Sequence, residues 1–112
     1  MKVTHESKQG CQIVKLEGRL DAMFVEDTRQ QIMKIADTPE NALILEMGGV
    51  DFIDSSGLGF IVTIFKHVRQ KQSEMVLVNL TPQARSLFEL TRMTQILNIL
   101  PDEQAALLQF GS

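Results

Sequence analysis

The chain has 112 residues, of which 44% are hydrophobic and 22% are charged. This length and composition are typical of one soluble globular domain, residues 1–112, with a single sizeable core. The formal net charge of −3 gives no electrostatic reason to expect nucleic acid or an anionic membrane as a partner. Because Cys11 is the single cysteine, neither an intramolecular disulfide nor a cysteine-rich metal site is expected.

The first ten residues are polar and lack the apolar stretch of a signal peptide. No apolar run in the chain approaches the roughly 18 residues that a membrane-spanning helix requires. The expected location is therefore the cytoplasm.

The first third of the chain predicts a β-hairpin followed by an amphipathic helix. Two strands, residues 3–7 and 11–17, flank a turn in which Gly10 supplies a positive φ. Residues 18–21 are expected to end the second strand. Across residues 22–36 the apolar side chains recur at three- and four-residue steps, which is typical of a helix with one buried face.

The middle of the chain predicts a buried strand and a second helix. Residues 42–47 form an apolar run interrupted only by Glu46, and the glycine pair that follows is expected to close the strand. The helix is predicted from near Ser55 to about Lys71, with a core stripe of Leu58, Ile61, Val62, Phe65 and Val68. Phe60 and Ile64 lie off this stripe. Phe60 is therefore either an exposed anchor for a protein partner or packed under the neighbouring helix, and the two interpretations have equal weight.

The last third predicts a buried strand at residues 75–80 and a helix that starts at Thr81-Pro82. A short strand follows at residues 96–100, and the final helix has three apolar residues expected to face inward, namely Ala105, Leu108 and Phe110. The order is β-β-α-β-α-β-α-β-α. It predicts an α/β fold with a mixed, mostly parallel sheet of about five strands and about four helices.

Residues 54–59, with the sequence DSSGLG, lie between the third strand and the second helix, where sites gather in open α/β sheets. The simplest alternative is that Asp54, Ser55 or Ser56 only caps the helix. Gly57 and Gly59 each cost roughly 1 kcal/mol relative to alanine inside a helix. Such a start indicates a backbone kept bare for close approach by a partner, a ligand or a packed strand.

The same segment lacks the features of an enzyme site. Its GxG has Val62 where a dinucleotide motif needs a small residue, and the chain contains neither a P-loop nor a GxSxG elbow. Neither His5 nor His67 is well placed to act as a base for Ser55. Three acidic residues could gather at one sheet edge and bind a divalent ion, although such residues more often cap helices or face solvent: Asp21, Asp51 and Asp54. We predict no catalytic residue, metal or cofactor, and a small hydrolase or nucleotide-binding protein is the weakest alternative.

Two stretches, GRLD at residues 18–21 and DSSGLG at residues 54–59, resemble the STAS domain of bacterial anti-sigma factor antagonists. The resemblance spans essentially the whole chain, and DSSGLG is its most specific part. It implies that Ser55 is the phosphorylated residue and that Asp21 is the family's aspartate beside it. One departure is the turn at residues 70–73, which reads QKQS where relatives often have glycines.

The resemblance also implies the partners and the regulation. In that family the unphosphorylated protein binds an anti-sigma factor that is also a serine kinase, with a histidine-kinase-like ATPase fold, and so displaces the sigma factor. Phosphorylation blocks this binding, and a PP2C-type phosphatase resets the protein. The alternative is a STAS interaction module in a transporter-associated or stress-signalling complex, which would not need Ser55. Neither function is that of an enzyme, and the leading one requires neither nucleic acid nor a membrane.

A phosphate at Ser55 is expected to act locally, because a helix N-terminus tolerates negative charge whereas a close-packed partner would have to bury it. We therefore predict a partner surface around the switch. Its residues are Asp21, Asp54, Ser55, Ser56, Gly57, Gly59 and Phe60.

Overall fold

The computed structural model describes residues 2–112 and shows a five-stranded sheet with four α-helices. The sheet order is β1-β2-β3-β4-β5, with β1 antiparallel to β2 and the remaining pairs parallel. The predicted fold class and element order are confirmed. The elements are β1 (Lys2–Lys8), β2 (Cys11–Leu20), α1 (Ala22–Ala36), β3 (Ala42–Ile53), α2 (Ser55–Gln70), β4 (Glu74–Val78), α3 (Pro82–Leu90), β5 (Asn98–Leu100) and α4 (Glu103–Phe110).

The predicted opening hairpin is present, and its turn has two residues instead of the three between the predicted strands. Lys8 pairs with Cys11, and the two residues between them, Gln9 and Gly10, both adopt positive φ, at 53° and 79°. Two consecutive positive φ values match the twist of the flanking strands. The turn at residues 70–73 contains another left-handed residue, since Gln72 has a φ of 61° where glycine would be less strained.

The sheet separates two apolar clusters. The larger one lies between the sheet and three helices, α1, α2 and α3, and it includes Leu16, Leu45, Ile32, Ile61 and Phe88. The smaller one lies under α4 on the opposite face and includes Cys11, Ile13, Ile44, Val76 and Leu107. Among the helices of residues 2–112, none has the length and apolar character that crossing a bilayer would require.

Strands β2 and β3 are longer than predicted. Their pairing continues through Gly49 to Leu20 and Ile53, with register shifts along the way, so the Gly48-Gly49 pair does not close β3. A Cβ on Gly49 would lie 3.0 Å from the carbonyl oxygen of Leu16 on β2. Glycine at position 49 therefore permits the two backbones to approach closely where the pairing is irregular. In the sequence, such a glycine looks the same as one that ends a strand.

The buried face of α2 differs from the predicted stripe. Phe60 is only 3% exposed and Ile64 is fully buried, whereas Leu58, Val62 and Phe65 are half-buried. The cause is that α2 packs against both the sheet and α1, so its buried face is rotated toward that helix. The interpretation of Phe60 as an exposed partner anchor is wrong. Packing under the neighbouring helix, the equally weighted alternative, is what occurs.

The predicted inward face of α4 is confirmed at Phe110, which packs against the smaller cluster, but is wrong at Leu108. Leu108 is 88% exposed, while Ala106 and Leu107 are buried and Ala105 is half-buried. This helix has eight residues, and its apolar run offers two faces of similar hydrophobicity. Only the contact with the sheet decides between them.

Candidate functional site

The candidate site lies where β2 and β3 end side by side. Leu20 and Ile53 are partners in the parallel register and are the last residues of their strands. An aspartate follows each of them, and the backbone N–H of Asp54 donates to the carbonyl of Leu20 across 3.4 Å. Since neighbouring strands lie about 4.8 Å apart, the starts of α1 and α2 are adjacent.

Both aspartates cap the helices that they precede. Asp21 Oδ1 accepts a 3.1 Å hydrogen bond from the backbone N–H of Phe24, and Asp54 Oδ1 accepts a 3.0 Å bond from that of Gly57. Each carboxylate thereby satisfies one of the N–H groups that a helix leaves open in its first turn. The site thus combines two helix N-termini with two carboxylates.

Asp21 is held in its charged form. The hydrogen bond from the Phe24 backbone is the largest influence and lowers the pKa of this carboxyl from its ordinary value; burial opposes it, and the hydrogen bond and charge of Arg19 lower the pKa further. The Arg19 Nε atom lies 3.5 Å from Asp21 Oδ2, and its guanidinium stacks over the Phe52 ring with 4.3 Å to the centroid. A negative charge at this edge therefore has both a carboxylate and a positioned guanidinium as neighbours.

Ser55 and Ser56 form the exposed first turn of α2. Asp54 provides the cap of α2. The alternative that these residues only cap the helix is therefore correct for Asp54, and neither Ser55 nor Ser56 is needed as a cap. Both serines are exposed residues. Ser55 is thus available to a partner or a modifying enzyme without any disturbance of the cap.

The two glycines of the segment have different surroundings. A Cβ on Gly57 would overlap the carbonyl oxygen of Leu20 and lie 2.9 Å from Leu20 Cγ, so this residue is buried against β2. A Cβ on Gly59 would meet no atom within 4 Å. Gly57 is therefore required by packing within the domain, whereas Gly59 is exposed and no intramolecular contact explains it.

The structure brings together most of the predicted surface. Asp21, Asp54, Ser55 and Ser56 lie at the junction, and Gly59 is one turn further along α2. The remaining predicted members, Gly57 and Phe60, lie beneath this surface. A shallow depression of about 340 Å³ adjoins Asp21 and includes Met23, whose side chain is 73% exposed.

Other candidate groups are elsewhere. His5 lies on β1 and hydrogen-bonds Gln12, while His67 lies in the second half of α2, 2.6 Å from Asp37. Neither histidine is part of the Ser55 surface. Within residues 2–112, no three histidine, cysteine, aspartate or glutamate side chains are arranged to hold a metal ion.

One residue of the site was missed by sequence reasoning. The side chain of Gln83, in the first turn of α3, makes two 2.9 Å hydrogen bonds to the backbone of Ile53. Ile53 immediately precedes the Asp54 cap. No pattern predicts this contact, because a glutamine after a Thr-Pro helix start is ordinary.

Comparison with known proteins agrees with this architecture. The family model for the STAS domain matches residues 2–106. The chain belongs to the STAS domain family. It is 30% identical over 110 residues to BtrV of Bordetella bronchiseptica, covering 98% of this chain and 95% of BtrV. It is 28% identical over 110 residues to the anti-sigma F factor antagonist of Paenibacillus polymyxa, covering 97% of this chain and 94% of that protein.

A solved structure shows the same fold. The anti-sigma factor antagonist SpoIIAA in its unphosphorylated form has a TM-score of 0.76 and 21% identity, covering 95% of this STAS domain and 94% of SpoIIAA. The phosphorylated form of SpoIIAA from Bacillus has a TM-score of 0.71 and 21% identity, covering 94% and 96% of the two chains. At this level of identity the likeness concerns the fold.

Proposed function

We propose that this STAS domain is an anti-sigma factor antagonist whose partner surface is switched by phosphorylation of Ser55. The observation that carries the proposal is the exposed Ser55 hydroxyl, which lies at a capped helix start and has no part in the cap. A relative that matches nearly the whole chain is an anti-sigma F factor antagonist. The same fold is also known in a phosphorylated form, that of SpoIIAA.

The fold is expected to tolerate a phosphate at this position. A phosphoserine carries about −1.5 to −2 charges at neutral pH. At a helix N-terminus such a charge is stabilised by roughly 0.3–1 kcal/mol, because first-turn N–H groups and the helix dipole face it. The modified domain therefore keeps its structure, and the change concerns its surface.

A partner packed on that surface is affected much more strongly. The phosphate would lie beside Asp54 and Asp21, and the nearby Arg19 is already paired with Asp21. A partner bound to the unmodified hydroxyl would therefore have to bury a dianion that has no cation of its own. Burial of even one unpaired charge costs several kcal/mol, and about 1.4 kcal/mol corresponds to a tenfold change in affinity. Phosphorylation is therefore expected to weaken binding by about a hundredfold or more.

The proposed surface combines the first turn of α2 with the start of α1. Ser55, Ser56 and Gly59 provide an exposed face with little side-chain bulk, flanked by Asp21 and Asp54. An interface across a bare helix face permits close approach of the partner backbone. Gly59 supports this proposal in particular, since the domain itself gains nothing from a glycine there.

The proposed partners are an anti-sigma factor that is also a serine kinase, with a histidine-kinase-like ATPase fold, and a PP2C-type phosphatase. The kinase recognises the unmodified surface and modifies it, and the phosphatase restores it. In this scheme Ser55 is a substrate, the domain needs no catalytic group or cofactor of its own, and it acts in the cytoplasm.

Phosphosite mapping tests the proposal. The full chain is incubated with the serine kinase/anti-sigma factor from the same genome and ATP, and the product is analysed by mass spectrometry. We expect one phosphate on Ser55, no modification of Ser55→Ala, and normal modification of the matched variant Ser56→Ala. A phosphate at another position, or no reaction with any kinase of this type from that genome, would contradict the proposal.

A pull-down distinguishes the alternative assembly. Ser55→Ala is expected to retain the partner constitutively and Ser55→Asp to lose it. If both variants capture the same transporter or stress-complex subunit, the domain is an interaction module that does not depend on Ser55.

A further inference from the structure

The end of β3 extends beyond its neighbour β4. The pairing of β3 with β4 runs from Ala42 opposite Glu74 to Glu46 opposite Val78, whereas β3 continues to Ile53 beside β2. The N–H of Asp54 points toward β2, so the N–H and carbonyl of the preceding residue point to the opposite side. No strand is present there among residues 2–112.

The Gln83 side chain takes the place of that missing strand. Its Oε1 atom accepts a 2.9 Å hydrogen bond from the Ile53 N–H, and its Nε2 atom donates a 2.9 Å bond to the Ile53 carbonyl. This is the pair of bonds that two residues exchange across an antiparallel ladder. One side chain thus satisfies both backbone groups of a residue whose own side chain is buried.

Gln83 projects from a firmly held part of the fold. The side chain of Thr81 caps α3 by accepting from the Ala84 N–H across 3.4 Å, with proline in the first turn. Ala84 and Phe88 are fully buried in the main core. The position of Gln83 is therefore set by the packing of α3 on the sheet.

From these contacts we propose that Gln83 is a positioning residue of the phosphorylation switch. It fixes the backbone of Ile53, so that Asp54 caps α2 and Ser55 is presented in one orientation. This inference rests on the proposed function of Ser55 and adds a residue from a different helix to that site. Without Gln83 the domain keeps its fold, but the segment from Ile53 to Gly57 samples other conformations.

The first measurement needs no partner. Backbone amide hydrogen exchange is followed by NMR in the full chain and in the variants Gln83→Ala, Gln83→Glu and Gln104→Ala. Gln83→Glu preserves the shape and the acceptor but removes the donor, and Gln104→Ala is an exposed glutamine on α4 that serves as the control. In Gln83→Ala we expect exchange of the Ile53 and Gly57 amides to be about tenfold faster, the size expected for loss of roughly one to two hydrogen bonds.

The second measurement is the rate of Ser55 phosphorylation by the serine kinase. If the productive conformation is populated only in part, the apparent KM rises by the inverse of that fraction while kcat is unchanged. We expect Gln83→Ala to raise KM severalfold and Gln104→Ala to behave as the parent. Gln83→Glu should raise KM at least as much as Gln83→Ala, because a carboxylate oxygen would face the Ile53 carbonyl oxygen in place of the amide donor.

Three outcomes would overturn the proposal. One is unchanged exchange at Ile53 and Gly57 in Gln83→Ala, and another is faster exchange with an unaltered KM. The third is exchange that is faster by the same factor at core amides such as that of Leu45, which would show general destabilisation. If the alanine variant does not fold, the same measurements are made on Gln83→Glu. Failure of the parent chain to be phosphorylated at Ser55 would instead contradict the proposed function, and the exchange rates would still decide whether Gln83 anchors the segment.

Discussion

The starts of α1 and α2 lie side by side, and they show what capping explains and what it does not. Each helix follows the end of a parallel strand and is capped by an aspartate, Asp21 in α1 and Asp54 in α2. After the cap, α1 continues with exposed Met23 and buried Phe24. In contrast, α2 continues with two exposed serines, a buried glycine and, two residues later, an exposed glycine. Capping accounts for the aspartates in both helices but not for the hydroxyls or the bare backbone of α2.

The largest expected effect is on partner binding. Ser55→Asp places a charge at the first position of α2, and we expect affinity for the serine kinase to fall by about a hundredfold or more because the charge is buried without a partner. The melting temperature should stay near that of the parent. Isothermal titration calorimetry measures the affinity, and differential scanning calorimetry measures the melting temperature. Ala22→Asp adds the same charge at the corresponding position of α1, at the flank of the proposed surface, where a smaller loss of affinity is expected. An equal loss would show that the two helix starts contribute alike to binding.

Gly57→Ala tests the third position of α2, where α1 has Phe24. The added Cβ would overlap the Leu20 carbonyl, which belongs to the backbone of a paired strand and has little room to move. We expect the free energy of unfolding to decrease by about 3 kcal/mol, the upper range for overpacking. Urea denaturation followed by circular dichroism measures this. A variant as stable as the parent would show that α2 can shift away from β2.

Gly59→Ala is the matched substitution two residues further along the same helix, and its effect on stability has the opposite sign. The new Cβ meets no atom within 4 Å, so the variant should gain up to about 1 kcal/mol of unfolding free energy from helix propensity. At the same time we expect weaker binding to the kinase, because the methyl group separates two surfaces in close contact. Unchanged affinity in the stabilised variant would exclude Gly59 from the interface.

Asp21→Asn has the smallest expected effect and concerns α1. The pKa of Asp21 is below its ordinary value in the folded state, chiefly through the Phe24 backbone hydrogen bond. The resulting stability is present above the unfolded-state pKa of about 3.9 and is lost as the pH falls through the lower folded-state value. Asparagine retains a capping acceptor but not the charge, so the stability of the variant should depend less on pH below about pH 4. Urea unfolding at stepped pH measures the slopes, and identical slopes would contradict this assignment.

Local signals in the sequence predicted the helix starts well. The bounds of α1 and the start of α2 at Ser55 agree with the structure, as do the Thr81-Pro82 start of α3 and the Gly10 turn. Caps, proline and glycine turns act within a few residues, so they can be recognised without the rest of the fold. The buried faces of α2 and α4 were predicted less well because both helices have apolar residues on more than one side.

The order of the elements, the α/β class and the place of Ser55 in the first turn of a helix after a strand follow from the amino-acid sequence alone. Contacts between elements decide the rest: Phe60 is buried under α1, and Gln83 holds Ile53. A Cβ would overlap Leu20 at Gly57 but would meet no atom within 4 Å at Gly59. The physical reason is that each of these facts depends on contact between elements that are distant along the chain. Hydrophobic periodicity shows that a surface is apolar, but the packing of neighbouring helices and strands decides which part of it is covered.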